Sequence, residues 1–179
     1  MSNYVFKSQR LGFRNWIETD IPKMVTISSD PDVMEFFPDV ATPEQTREFI
    51  QRLQTSYNNK GYCYFAVDRL DTNEFIGFIG LLGQNYESEF TPCVDIGWRL
   101  GKKHWGLGFA TEGARRCLEY GFKELKLPQI ISTAPAINRK SIHVMEKIGM
   151  TKRLDFIHSR LTYNKRLQNC MCYEARPAD

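Results

Sequence analysis

The sequence has no uninterrupted apolar run approaching the ~20 residues that a membrane helix needs. Its opening stretch, "MSNYVFKSQRLGFRNW", has no signal-peptide core, so a cytoplasmic protein is expected. No block of five like charges occurs, and a net charge of +3 is too mild to argue for nucleic acid. There are only three histidines, none at H-E-x-x-H or other metal spacing, so no metal is expected. The five cysteines are odd in number and irregularly placed, which argues against a disulfide framework. Cys170 and Cys172 would share one face of a strand, but a metal site wants more thiol or imidazole ligands nearby. Buried thiols in a reducing compartment fit better. No G-x-S-x-G or Cys-His signature marks a nucleophile. Internal repeats, low-complexity tracts and Gly/Ser linkers are also missing. What is present is 179 residues, 42% hydrophobic and 25% charged, the composition and length of one globular domain.

Periodicity divides the chain into alternating elements. "RLGFRNWIE" reads as a first strand, and "TDIPKMVTISSD" as a helix with Thr19 at its N-cap and Pro22 in the first turn. "TPEQTREFIQRLQTSYNNKG" reads as a second helix, capped by Thr42, boxed by Gln45, stopped by Gly61, and burying Phe49, Ile50 and Leu53. "YCYFAVDR", "EFIGFIGLLGQ" and "PCVDIGWRL" are three strands with short connections, hence an antiparallel meander. A helical stripe then runs from Ala110 to Leu125. A strand "QIISTAPA", a helix "NRKSIHVMEKIGM" ended by Gly149, and strands "KRLDFIHSRL" and "NCMCYEAR" close the chain. The order β-α-α-β-β-β-α-β-α-β-β predicts a mixed sheet with helices packed on it.

The densest signal is "WRLGKKHWGLGFATEG", where Gly101, Gly106 and Gly108 precede a long amphipathic helix. A P-loop would need Lys and Ser/Thr where Leu107 and Gly108 stand. A dinucleotide fingerprint would need a third glycine where Thr111 stands, and the preceding strand belongs to a meander. A third reading is a pyrophosphate cradle, with backbone N–H groups turned to one point beside a helix N-terminus and Lys102 and Lys103 adding charge. On spacing alone, a tight strand-to-helix turn with no ligand competes with it.

"KHWGLGFATE" resembles the acetyl-CoA signature [Q/R]-x-x-G-x-[G/A] of the Gcn5-related N-acetyltransferases, with Lys103 in the Gln/Arg place. The wider pattern resembles the Rim-type ribosomal-protein N-terminal acetyltransferases. It runs through "RLGFRNWIETDIPKMVTISSDPDVMEFFP", "TPEQTREFI", "FIGFIGL", "VDIGWRL", "WGLGFATEGARRCLEYGF", "NRKSIHVMEKIGM" and "CYEAR". This resemblance covers nearly the whole chain and implies a single N-acetyltransferase domain over 8–176. The implied fold is a mixed, mostly antiparallel sheet splayed at the cosubstrate site. The implied reaction is direct transfer of acetyl from acetyl-CoA to an amine, on a protein N-terminus or a small molecule, without a covalent intermediate. A non-catalytic acyl-CoA-binding module is the rival. A monomer or homodimer would serve either.

The resemblance also implies roles. The pantetheine arm would lie along Trp98, Arg99 and Leu100, and Asn138 would contact it. The diphosphate end would lie over Lys103, His104, Trp105, Gly106, Leu107, Gly108, Phe109, Ala110 and Thr111. Asp95 stands where this branch often has an acidic residue and would be the base, directly or through water. Backbone N–H groups around Gly97 and Trp98 would stabilise the oxyanion. Many relatives protonate the departing thiolate with a Tyr where this chain has Met145. Ser141 matches the Ser of Rim-type relatives and could donate to the sulfur instead. Phe36 and Phe37 would line the acceptor pocket, formed by residues 30–40, the loop after "EFIGFIGLLGQ" and the last hairpin. Purely structural readings stand beside these. Asp95 could be a solvated or salt-bridged strand residue, Asn138 a turn or helix-capping residue, Ser141 a first-turn serine, and the two phenylalanines packing for the first helices.

Overall fold

A computed structural model describes residues 4–177. Strands β1 (Phe6–Lys7) and β2 (Leu11–Arg14) come first, then helices α1 (Ile21–Ser28) and α2 (Pro43–Lys60). The meander β3 (Tyr64–Arg69), β4 (Phe75–Gln84) and β5 (Cys93–Leu100) follows. Helix α3 (Phe109–Lys123), strand β6 (Ile130–Pro135), helix α4 (Arg139–Lys147), and strands β7 (Thr151–Ile157) and β8 (Asn169–Ala175) complete the chain. The eight strands form one open sheet in the order β1-β2-β3-β4-β5-β6-β8-β7. Every pairing is antiparallel except β5 with β6.

Local chemistry explains most boundaries. The Thr42 hydroxyl accepts from the Gln45 N–H at 3.1 Å, and the Gln45 side chain accepts from the Thr42 N–H at 2.9 Å. Gly61 leaves α2 in a left-handed turn, φ 77°. Helix α4 ends in a Schellman motif, with Met150 N–H bonded to Met145 O and Gly149 N–H to Glu146 O, both at 3.0 Å. Helix α3 lies so close to the sheet that a Cβ on Gly113 would sit 2.4 Å from Ile79 Cδ1.

Two expectations are corrected. The two-residue β1 was not anticipated, because a strand that short shows no alternation. Thr19 does not cap α1: a 3-10 turn at Glu18–Asp20 precedes the helix and puts Asp20 at the cap position. The Asp20 carboxylate does not cap either. It takes Arg14 Nη1 at 2.6 Å and Nη2 at 2.9 Å, while Asp68 takes Arg14 Nε at 2.7 Å and Nη2 at 2.8 Å.

Candidate active site at the divergence of two parallel strands

Strands β5 and β6 are joined by one crossover through α3, and their ladder contains a single paired position, Asp95 with Ile131. Beyond it they separate toward their C-terminal ends. β5 leads there into the glycine turn and the start of α3, and β6 into the start of α4. Crevices outside the carboxyl ends of parallel strands are where α/β sheets bind ligands, and two helix N-termini make this one attractive to anions.

Backbone direction follows from one contact. The Ser132 hydroxyl donates to Ile96 O at 3.1 Å, so the Ile96 carbonyl faces β6. Alternation then turns the backbone groups of Ile96, Trp98 and Leu100 into the gap, and those of Gly97 and Arg99 toward β4. The anticipated donors are thereby narrowed to Trp98, because the Gly97 N–H is directed at β4. Leu100 O already accepts from the Trp105 indole at 2.9 Å.

The glycine turn fits an anion. Gly106 and Gly108 have φ of 74° and 79°, conformations that L side chains rarely adopt, and they swing successive N–H groups outward. Gly108 is the N-cap of α3 and supplies no side-chain acceptor, so the first-turn N–H groups from Phe109 to Thr111 lack a side-chain cap. A Cβ on Gly106 would meet no atom within 4 Å. Gly101 has an ordinary φ of −56° and simply follows the strand.

Arg10, not singled out from the sequence, holds this turn in place. Its Nη1 donates to Leu107 O at 3.0 Å, its Nε pairs with Glu112 at 2.6 Å, and it covers the Phe109 ring at 4.5 Å. The basic residues of the turn are partly committed elsewhere, Lys102 to Asp32 and Lys103 to Glu74. His104 is buried beneath the turn, 3.9 Å from Glu74, rather than projecting from the cradle, and burial lowers its pKa. Lys140 in the first turn of α4 lies 4.8 Å from the Trp105 ring, tying the two helix starts together. Asn138 is a helix cap, its Oδ1 accepting from the Ser141 N–H at 3.2 Å. The Ser141 hydroxyl has no protein partner among the described residues. Met145 is buried in the core.

Among the described carboxyl groups with a shifted pKa, Asp95 alone is shifted upward. It is half-buried on β5, and desolvation raises its pKa to about 7, opposed by hydrogen bonds from Tyr64 and Gln84. The Tyr64 hydroxyl donates to Oδ1 at 2.6 Å, and Gln84 Nε2 to Oδ2 at 3.1 Å. No basic residue pairs with Asp95 among the described residues, so it is not salt-bridged there. Tyr64 was missed. The available signal was the register partners Gly80 and Gly97, which have no side chains and leave a slot for its ring. Tyr64 stacks on Phe78 at 5.1 Å with planes 10° apart.

Three loops close over this face. Arg166, between β7 and β8, donates to Glu35 O at 2.7 Å and lies 5.6 Å from the Phe36 ring. Phe37 is exposed, 4.3 Å from the Arg99 guanidinium. Tyr86, in the turn between β4 and β5, stacks on His158 at 4.3 Å. Phe36 and Phe37 thus meet arginines, in place of packing between the first two helices.

Residues 10–151 match the acetyltransferase (GNAT) domain. The chain belongs to the GNAT acetyltransferase family. An uncharacterized N-acetyltransferase of Bacillus subtilis, YnaD, is 34% identical over 146 residues, 81% of each protein. A GNAT-family acetyltransferase structure from Bacillus anthracis superposes with TM-score 0.78 at 31% identity, covering 95% of this chain and 96% of that one. A ribosomal-protein-S5-alanine acetyltransferase from Vibrio fischeri gives 0.76 at 17% identity, covering 97% of each, a likeness of fold. The family removes the dinucleotide reading of the glycines. No group of three or more His, Cys, Asp or Glu that could hold a metal occurs among the described residues. No helix among them is long and apolar enough to cross a membrane.

Proposed function

We propose that this GNAT protein moves the acetyl group of acetyl-CoA directly onto a primary amine, within a single domain spanning 8–176. The observation that carries the proposal is the gap beyond the lone Asp95–Ile131 bridge, flanked by an uncapped α3 N-terminus and a carboxyl group poised near neutrality. N–H groups from Gly106 to Thr111 would take the diphosphate. Trp98 N–H, facing the gap, would bond the thioester arm or the developing oxyanion. Asp95 would accept a proton from the amine, directly or through water. A carboxylate with a pKa near 7 is ionised often enough to act and is a far better base than an ordinary surface Asp. The unpartnered Ser141 hydroxyl would donate to the departing sulfur, since Met145 cannot. The Rim-like reading rests on sequence pattern and on the Vibrio fischeri fold.

Titration with acetyl-CoA, followed by thiol release over a panel of amines, tests the proposal. Binding without amine-dependent release would leave only an acyl-CoA-binding module. The cradle has its own test in Gly106→Val. Nothing in the protein obstructs a side chain there, so the cost to the fold is that of a β-branched residue in the left-handed region, at least about 1–2 kcal/mol. Acetyl-CoA affinity should fall by at least tenfold, read by calorimetry beside a thermal melt. An affinity that tracks the melt alone would show that no ligand uses the space. Tyr64→Phe probes the base. Removing a donor from the carboxylate raises its pKa further, so the rising limb of kcat/KM against pH should move upward from about 7.

A further inference from the structure

Arg99 is a cation without a counter-ion on the same face of β5 as Asp95. Its guanidinium sits 4.3 Å from the Phe37 ring, 5.3 Å from Phe78 and 5.8 Å from Phe49. Its one protein hydrogen bond among the described residues runs from Nη1 to the Ser28 hydroxyl at 3.2 Å. Nε is buried and makes no bond. No carboxylate pairs with it among the described residues. The exposed Arg52 lies 6.0 Å from the Phe49 ring and adds a second cation without a carboxylate partner among them.

Stacking on rings holds a guanidinium in place but leaves its in-plane donors unsatisfied. With Nη1 occupied and Nε shut off from solvent, Nη2 is the donor left for a ligand carboxylate to meet, in a charge-assisted hydrogen bond. A buried donor without a partner is costly, and such groups in native structures usually await a ligand or water.

Position along the strand makes this an acceptor feature. Asp95 and Arg99 are four residues apart, about 13 Å between Cα atoms on one face at the strand rise. Gly97 lies between them, with Tyr64 across it. Tyr64 bonds Asp95 at one end and stacks on Phe78, under Arg99, at the other. The face therefore reads base, apolar floor, cation.

We propose that Arg99 is an anion subsite for the acceptor, which is an amine bearing a carboxylate several bonds away, with an aliphatic middle. This rests on the transfer reading above and narrows its substrate class. A polyamine would place a second cation against Arg99, where nothing compensates it.

Calorimetry on the CoA-loaded protein tests it without requiring turnover. The probes are 6-aminohexanoate, 6-aminohexanamide and 1,6-diaminohexane, which share a length and differ in the far group. The carboxylate should bind about 10- to 100-fold more tightly than the amide, the range expected for a charge-assisted pair, with the diamine weakest. In Arg99→Gln the carboxylate-to-amide ratio should fall to about one, and Arg99→Lys should keep part of it. If Arg99→Gln does not fold, the wild-type ratio alone decides. Equal affinities in the wild type, or a tighter diamine, would overturn the proposal. Carboxylate preference without amine-dependent thiol release would leave the subsite standing and sink the transfer reading. Release without any preference would do the reverse.

Discussion

Asp95→Asn should lower kcat by about 10²- to 10⁴-fold, the usual contribution of a positioned base, while leaving acetyl-CoA affinity close to wild type. The asparagine keeps the shape and a hydrogen-bonding oxygen for Tyr64, so the loss is one of proton acceptance. In the wild type the active form is the carboxylate. Its pKa is raised to about 7 by desolvation, so kcat/KM should climb with pH through that value and level off above it. The stability consequence has the opposite sign. A carboxyl group whose folded pKa lies above its ordinary 3.8 favours the folded state at low pH, and that advantage is lost as pH rises toward 7. Asp95→Asn should therefore raise Tm at pH 8 and change it little at pH 4. An inactive variant that melted lower at pH 8 would point to a structural role.

The largest loss of stability is expected at Arg14→Met. The guanidinium spans two buried carboxylates, Asp20 at 0% and Asp68 at 4% exposure. Removing it strands both, and breaking such a buried set costs about 3–5 kcal/mol. For a chain of this size that corresponds to a fall in Tm of roughly 10 °C, checked by melting or urea titration. The combined variant Arg14→Met, Asp20→Asn, Asp68→Asn should recover part of the loss, because the stranded charges, more than the missing attraction, cause it. No recovery would mean that Arg14 acts through packing.

These two residues show how far the sequence could be read. Asp95 could be named through the resemblance, because the acidic position and the glycine turn that carry it lie in one short stretch. The α2 caps could be named for the same reason, since Thr42, Gln45 and Gly61 act on their own backbone. The Arg14 cluster could not, because Asp68 lies 54 residues away and only strand pairing joins them. Its demand on Asp20 also displaced the cap expected at Thr19. Tyr64 and Asp95 are 31 residues apart, and Arg10 and Glu112 are 102 apart. Both contacts depend on register, which alternation alone does not fix. Arg99 shares the Asp95 face by strand alternation. Its backbone, expected to run beside the pantetheine arm, faces β4, and its side chain proved the more informative part.

The lone bridge between β5 and β6 also bears on how the molecule opens. A continuous ladder shares load across every rung, whereas an interrupted one yields at the interruption. Here the strands from β1 to β5 form one block and β6, β8 and β7 another, with little backbone stitching between them. A ligand bonded to both edges would add the missing stitches and oppose their separation, in proportion to its concentration over its dissociation constant. The thinly stitched seam is the place that a cosubstrate would fill, so occupancy should add to its mechanical integrity.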